Sequence, residues 1–477
     1  MQMNFPWMTF INFGVISASL LLASFIRARV KFFQKYLIPN ALTAGFLLLV
    51  FYNFLAPLVG MSQDDLGGFS YHLLNLSFVA MILRKPAERS KNGKKRAFSM
   101  AVALLSQYAV QAVLGLAITF LFIYTVMPDL FPTIGYLVPL GFSSGPGQAF
   151  AIAQTWEMPE YGFVGAGSVG LTFGAIGFLW ACFGGVFLIN VGVRRGWIKR
   201  SESKLNLAKP RSGFFEKDVA TPVGSRLTTE TEAIDTMTYN AAAVIFVYLI
   251  TYLLLRGITW GLSFAGQMGE DLASSLWGIG FIFCALTAMV ARKFISIAKI
   301  HHTLDSGSLT RIAGFTIDYM VACALGAISL VVVKDYWIPI LIMSAFAGIL
   351  AFVLIPWAGS RMFPDNRFAR TMIVYGAATG TLATGLALLR VVDPDFETPV
   401  ASDYMPASAI VFVFAIPLIL QIHLPAYAYR DGRPELYWVS LGICVLYVVL
   451  TGVAYFLLSR KRALKKPGKL WLADEEA

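Results

Sequence analysis

Apolar stretches of 18 or more residues recur from one end of this 477-residue sequence to the other. A helix of that length crosses a hydrocarbon core of about 30 Å, and a chain built largely of such stretches has lipid as its solvent. Composition agrees: 57% of the residues are hydrophobic and 14% are charged, a balance that soluble globular domains do not show. The expected fold class is an all-α polytopic membrane protein in a lipid bilayer. Its apolar segments fall at about 8–26, 37–57, 69–83, 97–126, 134–156, 161–193, 239–260, 273–291, 312–333, 337–357, 371–392, 405–425 and 435–458.

The net charge of +11 does not point to nucleic acid, because the Lys and Arg residues sit in short loops between segments, where they record orientation. Cys182, Cys284, Cys323 and Cys444 lie inside apolar segments without metal or redox spacing and read as small packing residues. The four histidines, His72, His301, His302 and His423, form no metal pattern in any segment. Walker A, G-x-S-x-G and H-E-x-x-H patterns are absent from the sequence, so neither an enzyme nor a resident cofactor is expected. No Lys or Arg precedes Arg27, so the first segment reads as a retained helix rather than a signal peptide.

Loop charges set a topology, since Lys and Arg accumulate in short cytoplasmic loops. Arg27, Arg29, Lys31 and Lys35 follow the first segment, and a run from Arg84 to Arg96 follows the third, which places both loops inside. Loops 58–68 and 127–133 carry only acidic charges and belong outside. Full crossing by 134–156 would put the basic stretch from Val193 to Arg211 outside, and full crossing by 371–392 would do the same to the tail from Arg460. Both conflicts vanish if these two segments are re-entrant hairpins.

The expected organisation is therefore two inverted repeats, each of five spans plus one re-entrant hairpin, with an extra C-terminal span. Residues 1–193 form the first repeat, 194–238 a cytoplasmic linker with room for a short helix, 239–425 the second repeat, and 426–477 the extra span and a basic tail. The N-terminus lies outside and the C-terminus in the cytoplasm. An offset of 235 positions supports the repeat, pairing Gly141 with Gly376, Ser144 with Thr379, Gly145 with Gly380, and Pro159 with Pro394. Inverted repeats are a recurring architecture of secondary transporters.

Candidate chemistry follows from the hairpins. Gly141-Phe142-Ser143-Ser144-Gly145-Pro146-Gly147-Gln148 cannot form a regular helix, because glycines flank a proline that lacks the amide donor. Irregular backbone at membrane depth lines a cavity or is buried in protein. There, free amides at half-helix ends meet anions and free carbonyls meet cations. Ser143, Ser144, Gly145, Gly147 and Gln148 are substrate-site candidates on the first hairpin. Thr379, Gly380, Thr381 and Thr384 are their counterparts on the second. Close packing of small residues is the plain alternative for both runs. Arg390 suits a substrate carboxylate, or it snorkels to the interface or pairs with Asp393. Asp318 is a candidate sodium ligand or proton carrier, with an ion pair to Arg311 as the alternative. Asn75 and Gln111 join Ser144 and Thr379 as further cation-site candidates, although single amides also serve as interhelical glue.

These motifs resemble the bacterial sodium/glutamate symporter family. Ser143 to Gln148 stand against its S-G-G-H-G-T, and Gly376 to Leu388 against its G-x-G-L-G-A-T-P-T-A-x-A-N. Lys35-Tyr36-Leu37-Ile38-Pro39 is similar to its K-Y-x-I-P, and Gln111-Ala112-Val113-Leu114-Gly115 to its Q-N-A-I-G. The resemblance covers most of 10–425. It implies sodium-coupled uptake of glutamate or a related small carboxylate or amino acid across a bacterial inner membrane, by a homodimer moving as an elevator, with sodium as coupling ion. Gly145, Gly147, Gly376, Gly380 and Thr384 match the family pattern. Pro146, Gln148, Ala383 and Leu388 stand where the family has His, Thr, Pro and Asn, so the resemblance carries fold and coupling further than substrate. A sodium/proton antiporter of similar architecture is the nearest alternative, and a non-transporting membrane sensor or assembly subunit is the alternative from another class.

Overall fold

The computed structural model describes residues 7–36, 38–85, 93–197, 212–214, 223–264, 266, 269, 273, 276–393 and 398–472. These residues are helical with irregular connections, and there is no strand among them. Among the described residues, eleven helices are long and apolar enough to cross a membrane. They are α1 (Trp7–Arg29), α2 (Asn40–Val59), α3 (Asp65–Leu83), α4 (Gly93–Thr125), α7 (Ala166–Arg194), α8 (Thr236–Ser263), α9 (Gly280–Ile297), α10 (Ser306–Gly326), α11 (Trp337–Met362), α14 (Val400–Asp431) and α15 (Glu435–Arg462). The chain is an all-α, multi-pass membrane protein. Its free cysteines are all buried.

The two segments singled out by the loop charges do not yield a long helix. The first is split into α5 (Ile134–Ser144) and α6 (Pro146–Ala153). The second is split into α12 (Arg367–Ala378) and α13 (Leu382–Val392). At 1.5 Å per residue each arm reaches only about 12–18 Å, too short to cross a bilayer. Both segments double back. The Phe131 and Phe163 rings, before α5 and after α6, lie 4.9 Å apart. At the second, Arg370 sits 2.9 Å from Asp365 before α12 and 2.8 Å from Asp403 after α13.

Helix α7 shows how the two are arranged. Its glycines let neighbouring backbone come close, and a Cβ added at Gly170 would lie 3.0 Å from Ala149 O, at Gly174 2.8 Å from Pro146, and at Gly177 2.7 Å from Thr379 O. Further on, an added Cβ would lie 2.5 Å from the Leu388 side chain at Gly185 and 2.5 Å from the Phe368 ring at Gly192. The helix thus passes the arm of the first segment, then the break of each, then the arms of the second. From Gly167, which touches Phe150, to Gly192 is about 38 Å, and Gly177 lies near the middle. Helix α4 repeats this from another side, with Arg96 beside Asp365, Gln111 at the breaks and Gly115 against Gly135.

Several boundaries differ from the sequence-based expectation. The segment expected at 312–333 is helical over Ser306–Gly326, and a short helix Leu330–Asp335 follows a bend. Its start moves because Asp305 caps it, accepting from the Ser308 N–H at 2.6 Å. Asp318 consequently sits near the middle of its helix rather than close to one end. In the linker, 198–211 and 215–222 lie outside the described residues. The part from 223 to 235 is irregular and docks on the α10 N-terminus through Arg226 N–H to Asp305 at 3.1 Å and Thr228 Oγ1 to Thr303 O at 2.8 Å.

Candidate functional site: two facing helix breaks

The break in the first segment falls at Gly145, whose φ of +88° and ψ of 167° disfavour a side chain. Pro146 then occupies the first position of α6, where its missing N–H would have no intrahelical partner in any case. A proline that excludes a continuous helix thereby starts a new one. The second break covers Thr379 to Thr381. Thr384 Oγ1 accepts the Thr381 N–H at 2.8 Å and lies 2.6 Å from Gly376 O, joining the start of α13 to the end of α12. The arms cross closely at Gly376 and Gly385, where an added Cβ at Gly376 would lie 2.8 Å from Gly385 Cα.

The two breaks touch. A Cβ at Gly145 would meet Thr381 Cγ2 at 2.7 Å. Buried Gln111 ties them together: its Nε2 donates to Ala378 O at 3.1 Å, and its Oε1 accepts from Ser143 Oγ at 2.8 Å. Helix α10 abuts the same place, with Met320 Sδ 2.9 Å from an added Cβ at Gly147. Half-buried Ser144, Gln148 and Thr381 surround this contact. The N–H groups of Gly147 and Gln148 in the first turn of α6 have no intrahelical acceptor, which suits an anion.

The sequence-predicted residues divide into three groups. Ser143, Ser144, Gly145, Gly147, Gln148, Gly380, Thr381 and Gln111 come together around the breaks. Thr379 and Thr384 also lie there, but their hydroxyls are engaged within the second segment, Thr379 Oγ1 donating to Tyr375 O at 2.7 Å. Asp318, Asn75 and Arg390 lie elsewhere. Asp318 shares an exposed stripe of α10 with Arg311, Gly314 and Phe315, away from the Met320 face. Asn75 faces α8 and α9, its Nδ2 reaching Tyr248 Oη at 3.4 Å. Arg390, exposed in the last turn of α13, is about 13 Å along the helix from Thr381.

A second polar cluster escaped the sequence reading. Arg370 is fully buried and bonds Asp365 and Asp403, while Arg96 Nε lies 2.8 Å from Asp403 and its NH1 3.3 Å from Asp365. Two cations and two carboxylates balance at the open end of the second segment. The available signal was a charged Arg370 at the edge of an apolar run between two aspartates. Comparison with protein-family models, curated proteins and solved structures finds no match to this chain.

Proposed function

We propose that this chain is a secondary active transporter, coupling a cation, sodium by preference, to the movement of glutamate or a related small carboxylate or amino acid. One observation carries the reading: two interrupted helical segments, reaching in from opposite ends of α7, meet with their breaks in contact near its middle. Such breaks leave backbone dipoles unpaired at membrane depth, a construction that serves transported ions and anionic groups. The first turn of α6, with Ser144 and Gln148, receives the carboxylate. Carbonyls at the end of α12, with Thr381, receive the cation. The 235-position offset places Gly145 and Gly380 each at a break, which supports two inverted repeats, and the family resemblance supports sodium. The homodimer and the bacterial inner membrane belong to the same reading.

Radiolabelled uptake into proteoliposomes, with and without an inward sodium gradient, tests it. Sodium-dependent accumulation of an amino acid or dicarboxylate is expected. No such flux for any member of either class ends the symport reading. One observation favours a second reading, sodium/proton antiport: Asp318 lies mid-helix without a hydrogen bond or ion pair among the described residues. A pH-sensitive dye inside the same vesicles would then report sodium-driven proton movement, abolished in Asp318→Asn.

A further inference from the structure

A cavity of about 390 Å³ lies between the first turns of α4, the turn after α11 and the end of α15, apart from the helix breaks. Four cationic side chains line it, Lys95, Arg460, Lys461 and Arg462, together with Ser99 and Ser459. None of the four pairs with a carboxylate among the described residues, in contrast to adjacent Arg96, which is balanced by Asp365 and Asp403. The Ser459 hydroxyl is buried beside the Tyr455 hydroxyl, which donates to Ala463 O at 2.8 Å. Arg460 has a φ of +49°, which ends the α-helical part of α15 at Ser459 and winds its last three residues, all basic, into a tight 3-10 turn beside the cavity.

The cavity opens where the most lipid-exposed span ends. Val453, Phe456 and Leu457 are 52, 50 and 72% exposed and precede Arg460 by seven, four and three residues. That spacing makes one continuous apolar stripe leading into the basic cavity. A soluble anion has no use for the stripe, whereas a lipid needs both parts. Basic pockets at the ends of membrane spans suit charged headgroups.

We propose that this cavity binds the headgroup of an anionic phospholipid. The phosphodiester sits among Lys95, Arg460, Lys461 and Arg462, and the acyl chains follow the stripe on α15. Met362 and Pro364 form another wall, so the lipid joins α4, α15 and the turn that enters the second interrupted segment.

The test is titration of the purified full chain, in neutral detergent, with phosphatidylglycerol and separately with phosphatidylcholine, read by native mass spectrometry. Saturable binding of phosphatidylglycerol is expected, with phosphatidylcholine much weaker. K95Q/K461Q replaces two exposed side chains and is expected to weaken binding on the order of 10-fold, each charge contributing to headgroup attraction. R194Q/R195Q, two exposed charges at the end of α7, is expected to bind as the unmodified chain does. Equal affinity for the two lipids, an unchanged K95Q/K461Q, or an equal loss in R194Q/R195Q overturns the proposal. Full displacement by millimolar inorganic phosphate would assign the cavity to a soluble anion instead.

Discussion

At the residue scale, Gln111 is the side chain on which the contact between the two breaks turns. It is fully buried, and both ends of its amide reach across, one to each segment. Gln111→Leu keeps the bulk and removes both bonds, leaving Ser143 Oγ and Ala378 O only their direct 3.2 Å bond to each other, at a cost of about 1–3 kcal/mol. A fall in thermal stability of that order is expected, with uptake lowered at least about tenfold, read in proteoliposomes. Gly145 offers a sharper experiment. A side chain at its φ of +88° and ψ of 167° costs roughly 1–3 kcal/mol, and its methyl would also press on Thr381 Cγ2. Gly145→Ala should therefore cut uptake, and adding Thr381→Ser, which deletes that methyl, should recover part of it. No recovery would mean that backbone strain alone sets the effect.

At the element scale, the second interrupted segment is held at its open end by charge and by the C-terminal tail. Arg370 is fully enclosed between Asp365 and Asp403, so Arg370→Ala leaves two carboxylates short of a partner. Loss of one member of such a cluster costs about 3–5 kcal/mol, and a corresponding drop in the unfolding midpoint is expected in detergent. The tail is fastened separately. Arg361 NH2 donates to the carbonyls of Lys465, Lys466 and Lys469 at 3.1, 2.8 and 3.0 Å, and Arg367 NH1 to Leu472 O at 3.2 Å. Trp471 stacks on Trp197 with ring centroids 5.2 Å apart and meets Phe368 edge-on. Arg361→Ala is expected to release 463–472, detectable as new proteolytic cleavage there while the spans stay protected.

At the scale of the whole molecule, the arrangement requires the open ends of the two interrupted segments to lie on opposite sides of the membrane. Met158 follows the first and Ser402 the second. In sealed vesicles, a cysteine at Met158→Cys should react with an impermeant maleimide from one side only, and one at Ser402→Cys from the other side only. Both reacting from the same side would contradict the opposed insertion on which the transport proposal rests.

Hydrophobic length and loop charge were legible in the linear sequence because each is a local property set against a fixed bilayer thickness. Eleven spans and the two shorter segments followed from them, and the Gly-Pro pair marked the first break. The sequence pattern also made Gly380 a counterpart of Gly145. What only the tertiary structure decided is which polar groups meet. Gln111 lies far along the chain from both breaks, so no spacing rule pointed from it to Ser143 and Ala378. Asp318 and Arg390 stood out as charges in apolar runs, but helix phase turns the first away from the breaks and helix length carries the second beyond them. The Arg96, Asp365, Arg370 and Asp403 cluster draws on three separate regions of sequence and exists only once α4, α12 and α14 pack together. Single residues in a lipid-soluble chain announce their cost locally, whereas their partners are chosen by how the helices cross.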